Sequence, residues 1–307
     1  MTSALARYHI EASARPSDIA QVRARLDHAE QSYRHARYPE LLALLPGLLD
    51  AARAARVIRP GRATDGLLVR AYGLIALALV KVDQRELAWL AADRGMAVAL
   101  TTDAPRVAAV AAVPLSQALR AAGRRRSAAE VAVVAAHRVM PCRAGDDPLA
   151  DPSPHGTLLL QAALAAAGRG DERTTRELLD RAARTALDAG AGGGRGGPAA
   201  VEAARVVAGF AFGDVAAATV RHQQLVAGDE WRWLPPEHRA AYLLDVARAY
   251  AQTGDMLRAG RTVLEAERTA RGEVHDRPAV RELVAVVARS AAAPAGVARL
   301  AAVLRVA

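Results

Sequence analysis

The sequence predicts an all-α fold: a solenoid of about six stacked helix pairs, finished by C-terminal capping helices. Three observations point there. The 307 residues include 76 alanines but only 2 Phe, 3 Trp and 6 Tyr, a composition that favours closely packed helices over sheets. Apolar and small residues recur at helical spacing, as Leu243, Ala247 and Tyr250 do at i, i+4, i+7. A helix-breaking turn returns every 40–47 residues, near Ala36, Asp83, Gly123, Gly170, Gly213 and Gly254. A lone hairpin cannot bury its apolar face, so successive pairs must stack to make a core.

The elements follow in order. Residues 1–16 read as a stub or linker, 17–276 as the repeats and 277–307 as the cap. The first pair, 24–52, turns at Ala36-Arg37 between Tyr33 and Tyr38. The second, 67–100, turns near Asp83; the third, 105–140, at Gly123; the fourth, 157–189, at Gly170-Asp171; the fifth, 199–228, at Gly213-Asp214. The sixth, 238–271, is the clearest: Gly254 supplies a left-handed helix end and Asp255 caps the next helix, whose stripe is Ala259, Val263 and Ala266. Between pairs, 141–156 carries four Pro and three Asp and cannot be helical throughout; 189–198 is Gly-rich and reads as a flexible linker. Pro235-Pro236 leads into the sixth pair, and Pro294 divides the cap into two helices.

The large-small-aromatic, small-large-small pattern of residues 238–271 resembles a tetratricopeptide repeat, with Arg271 where that family usually has a helix-ending Pro. The turn-to-turn steps of 47, 40, 47, 43 and 41 exceed the period of that repeat, so longer helices or longer loops are expected. A wider likeness runs through ARYPELLALLP, ELAWLAADRGMAVA, GDERTTRELLDRAA, LLDVARAYAQTGD and RPAVRELV. In this order they resemble the tetratricopeptide-like C-terminal half of bacterial xenobiotic-response-element-type transcriptional regulators, over essentially residues 17–307. The resemblance implies a non-catalytic domain that senses a ligand or peptide, and a homodimer among its assemblies. It implies DNA contact only through a helix-turn-helix domain missing from this chain, since no such unit fits before Ile19. The alternative is a standalone protein–protein interaction scaffold.

Charge alone does not establish nucleic-acid binding. The net charge is +9, but 40 of the 41 basic residues are arginine, with Lys81 the one lysine, a bias that fits high-GC codon usage. The tightest cluster, Arg124-Arg125-Arg126, is expected in a solvated turn. The start has no basic and apolar leader, and the most apolar stretch, 71–80, is shorter than the roughly 20 residues a bilayer needs. A cytoplasmic protein without a membrane span is expected.

Catalytic patterns do not emerge. Gly192, Gly194 and Gly197 satisfy a GxGxxG count without the strand it requires. His28 and His35 share a helix face but have no acidic or Cys companion at ligand spacing, and Cys142 stands alone in a loop. No enzyme activity, cofactor or metal is expected. Trp231 and Trp233, two apart in an extended segment, would face opposite sides; Trp89 belongs to inter-repeat packing.

A ligand would sit on the concave face, lined by the first helix of each pair. Alignment on the turns places Arg23, Asp27, Glu30 and Arg34 there in the first repeat, Arg70 and Lys81 in the second, Gln117 in the third, Gln161 in the fourth, and Asp245, Arg248 and Gln252 in the sixth. Both signs of charge suit a peptide, small effector or protein partner. The same residues equally fit solvated helix faces with local salt bridges.

Overall fold

The computed structural model describes residues 1–6, 18–139, 154–188 and 197–306. It is all-α, with no strand among the described residues. After a short helix α1 (Thr2–Ala6) come six antiparallel pairs: α2 (Ile19–Arg34) with α3 (Tyr38–Ile58), α4 (Arg62–Lys81) with α5 (Arg85–Leu100), α6 (Pro105–Ala121) with α7 (Arg125–Arg138), α8 (Pro154–Ala167) with α9 (Glu172–Asp188), α10 (Pro198–Ala211) with α11 (Val215–Ala227), and α12 (Pro236–Gln252) with α13 (Met256–Thr269). Three further helices, α14 (Arg271–His275), α15 (Pro278–Ala288) and α16 (Ala295–Leu304), cover the last pair.

Each pair is closed by the same device. Ala36, Asp83, Gly123, Gly170, Gly213 and Gly254 all adopt a positive φ, between 55° and 84°. In every case the next residue donates its N–H back to a carbonyl in the last turn, as Asp255 does to Tyr250 and Arg124 to Leu119. This is the Schellman closure, which satisfies carbonyls that the helix end would leave orphaned. Four of the six use glycine, which takes the left-handed region without penalty. Asp171, Asp214 and Asp255 then accept from backbone N–H groups of the following helix, capping it.

Small residues set the packing. The buried stripe of α13 is Ala259, Gly260, Val263 and Ala266, and it meets Leu243, Ala247 and Tyr250 of α12, all at most 3% exposed among those hydrophobics. Stacking each such pair on the next builds one continuous core from α1 to α16. Helix α4 is long and apolar enough to cross a membrane by length and composition, but 61% of that stretch is buried inside the fold. Its apolar surface is used by its neighbours, which the length of its central run alone did not indicate.

Several local expectations change. Arg125 and Arg126 begin α7 instead of lying in a turn; Arg126 pairs with Glu130, while Arg124 lies 5.1 Å over the ring of Trp89. Trp231 and Trp233 sit in a 3-10 turn, Asp229–Trp233, not an extended segment, yet one is buried and the other 68% exposed. His28 faces Glu40 at 3.6 Å and His35 returns to the Gln31 carbonyl, so the two do not converge. Cys142, Gly192, Gly194 and most of the two inter-pair segments lie outside the described residues.

The solenoid also closes on itself. The end of α2, the start of α3 and the end of α4 meet the start of α12 and the short α14. A curved stack with a concave face was expected; the structure adds that its first and last repeats touch.

Candidate functional site: the charged junction of first and last repeats

Where the ends meet, the structure gathers four charges, three of them buried and the fourth, Arg277, half-buried. Lys81, at the last position of α4, is 8% exposed; its Nζ lies 2.5 Å from Glu237 Oε1 and 2.8 Å from Glu273 Oε1. Glu237 stands in the first turn of α12, and Glu273, fully buried, lies in α14. Arg277 Nη1 approaches the other oxygen of Glu273 at 2.5 Å. Tyr33 donates to Glu237 at 3.2 Å, Tyr38 donates to Glu273, and the Lys81 ammonium lies 5.9 Å over the Tyr33 ring. Two cations and two anions cancel, and the phenols satisfy lone pairs that the cations leave. Such pairing is what makes burial of charge tolerable, although Arg277 Nε is left without a hydrogen-bond partner among the described residues.

The electrostatics agree. Burial by itself pulls the Lys81 ammonium down, but Glu237 and Glu273 overturn this and raise its pKa above the ordinary value. Arg277 behaves in the same way through Glu273 and Asp245. Tyr38 is raised, first by burial and then by the carboxylate of Glu273. Lys81 and Arg277 therefore stay cationic, and Tyr38 stays a neutral donor.

The expected groove residues fall into separate groups. Lys81 is inside this junction, not on an open face, because the sixth repeat folds over it. Arg70 is tied to Asp27 at 2.8 Å and to Glu30 at 3.0 Å, bridging α4 to α2. Arg248 pairs with Asp245 at 3.0 Å within α12. Gln161 is buried on α8, and its Oε1 has no hydrogen-bond partner among the described residues. Gln117 is half-buried, while Arg23, Arg34 and Gln252 are exposed. The inside of the coil does bring distant repeats together: burial lowers the pKa of Arg120 on α6, and Asp245 on α12 opposes this. Arg120, Glu237, Glu273 and Arg277 were not anticipated from the sequence. No spacing rule links residue 81 to residue 237, and Glu237 reads as an ordinary acidic residue in a first helical turn.

Two surface pockets lie elsewhere. One of about 600 Å³ is lined by Arg126, Ala129, Glu130, Val133, Val134 and Arg169; one of about 260 Å³ by Ala24, Arg25, His28, Leu44 and Leu48. No group of three or more His, Cys, Asp or Glu side chains able to hold a metal occurs among the described residues.

The architecture is an all-α solenoid with a tetratricopeptide-like fold. No family model and no curated protein matches the sequence. Among solved structures, aspartyl phosphate phosphatase F from Bacillus subtilis is similar in fold, with a TM-score of 0.57 at 15% identity. That alignment covers 82% of this chain and 61% of the phosphatase, so the chain spans less than two thirds of that protein. BtubC (BKLC) from P. vanneervenii aligns at a TM-score of 0.49 and 18% identity, over 81% of this chain and 90% of that one.

Proposed function

We propose that the chain is a non-catalytic regulatory domain that senses a peptide, small effector or protein partner on its concave face, in the manner of the solenoid half of a helix-turn-helix transcriptional regulator. The observation that supports this reading is the position of the buried charges. They join the first repeats to the last, not one repeat to its neighbour, so anything that alters the curvature of the coil must act on them. A ligand shifts such an equilibrium only by its differential affinity for the clasped and unclasped forms. On this reading Gln117, Gln161, Asp245 and Arg248 line the concave face with Arg120, which Asp245 approaches, and they would offer donors and acceptors for such a ligand.

Hydrogen exchange on the chain with its cellular partner or effector bound is the test. Added protection on α2, α6, α8 and α12 is expected; protection confined to the second helices α5, α7, α9 and α11 would sink the concave-face reading. Hydrolysis of acetyl phosphate above the buffer rate would overturn the non-catalytic part. Sequence-selective retardation of duplex DNA by this chain alone would overturn the expectation that DNA is read by another domain.

A further inference from the structure

Arg70, Arg205 and Arg248, half-buried on first helices, each bond a carboxylate. Arg120, half-buried at the end of α6, does not: among the described residues its side chain has neither an ion pair nor a hydrogen bond. Asp245, the carboxylate that opposes it across the coil, is already bonded to Arg248 at 3.0 Å. The cation beside Arg120 is Arg125, at the start of α7, whose side chain likewise has no partner among the described residues. Its Nε lies 2.7 Å from where a β-carbon on Gly168 would stand, so Arg125 crosses the end of α8 at a residue without a side chain. Gln161, two helical turns back on that face of α8, is 9% exposed, and its Oε1 has no hydrogen-bond partner. A guanidinium withdrawn from water without a counter-charge is unfavourable, and so is an amide oxygen buried without a donor. One ligand carrying an anion and an N–H group answers both.

We propose that Arg120 and Arg125, where the third and fourth pairs adjoin, hold an oxyanion of the ligand, a carboxylate or a phosphate group, and that Gln161 accepts a hydrogen bond from the same ligand. A guanidinium presents a planar fork that matches two oxygens of either group. Arg120, Arg125 and Arg248 set three positive charges against the one carboxylate of Asp245, an excess that a bound oxyanion narrows. Two turns of α8 span about 10 Å, the reach of three extended residues, so a peptide whose terminal carboxylate meets the arginines brings an N–H to Gln161. The site rests on the concave-face reading for its role, while its charge class follows from these side chains alone.

The test titrates the isotope-labelled full chain, at constant ionic strength, with inorganic phosphate, acetyl-triglycine and the neutral amide of that tripeptide, and follows the arginine Nε–Hε signals by NMR. Saturable shifts of the Arg120 and Arg125 signals are expected with phosphate, with acetyl-triglycine or with both, which identifies the source of the anion, and none with the neutral amide. Arg120→Gln and, separately, Arg125→Gln are expected to weaken binding by at least about tenfold. Arg268→Gln, which removes the same charge from an exposed position on α13, is expected to leave it unchanged. Because Arg120 bonds nothing in the fold, Arg120→Gln is also expected to hold or raise the urea midpoint, where loss of a structural arginine lowers it. Gln161→Leu is expected to weaken the tripeptide and spare phosphate; unchanged tripeptide affinity would remove Gln161 from the site. No saturable shift with either anion up to tens of millimolar, equal shifts with the neutral amide, or unaltered binding by either arginine variant would overturn the proposal. If anions fail to bind while a cellular partner protects the first helices, this site falls and the concave-face reading stands. If anions bind while protection is confined to the second helices, that reading falls and the anion site stands.

Discussion

A β-carbon at Gly272 would run into the carbonyl oxygen of Ala36, so the closure of the coil depends on one residue lacking a side chain. Backbone cannot yield there as a flexible side chain would. Gly272→Ala is therefore expected to cost about 2–4 kcal/mol, read as a lower urea midpoint with little change in helicity. His222 makes a different prediction. Its Nδ1 and the Tyr242 hydroxyl share a 2.9 Å hydrogen bond, and burial pushes its pKa down to about 4. Between that value and the ordinary 6.5, the unfolded chain takes up a proton that the native imidazole refuses. The stability is present in full above pH 6.5 and is lost as pH falls toward 4, by on the order of 3 kcal/mol. His222→Gln should flatten this part of the profile relative to the unaltered chain; a parallel pair of curves would show that His222 is not the group responsible.

At the scale of an element, the helix pair is legible because its rules are local. Composition, periodicity and turn chemistry sit within one stretch of about 40 residues, and all six turns fall where the sequence places them, down to the residue with positive φ. Even Ala36 and Asp83, which carry a side chain into the left-handed region, mark their turns correctly. The seam between paired helices follows from small residues. Ala247 and Ala259 are both fully buried, and replacing either by Leu is expected to cost about 1–3 kcal/mol through overpacking, measured by thermal or urea unfolding. Element detail was misjudged where tertiary contact overrides local signal: Trp231 and Trp233 tighten into a 3-10 turn because Trp231 packs edge-on against Tyr242 of α12.

Across the whole molecule, the buried junction is the feature with the greatest leverage. Removing one member leaves a buried charge without its partner, so Lys81→Met should destabilise by about 3–5 kcal/mol. Adding Glu237→Gln to that variant should return part of the loss, because the remaining carboxylate keeps Arg277 and Tyr38. A double-mutant cycle with a coupling of about 1–3 kcal/mol would support a cooperative clasp, and strict additivity would refute it. If the junction sets curvature, the same single variant also enlarges the radius of gyration in small-angle scattering while the helix content stays constant.

The candidate site was less legible than the fold. Arg70, Asp27 and Glu30 were placed on one face, and they do meet, because they belong to adjacent repeats in a common register. Lys81 was assigned to that face as well, yet its partners lie more than 150 residues onward, at Glu237 and Glu273. By itself the sequence determined the helices, their pairing and their stacking order, since each follows from side-chain periodicity and turn preference over a few dozen residues. Only the tertiary structure decided that the coil curls far enough for its ends to join. Curvature is the sum of small rotations at every inter-repeat seam, and no local pattern fixes that sum.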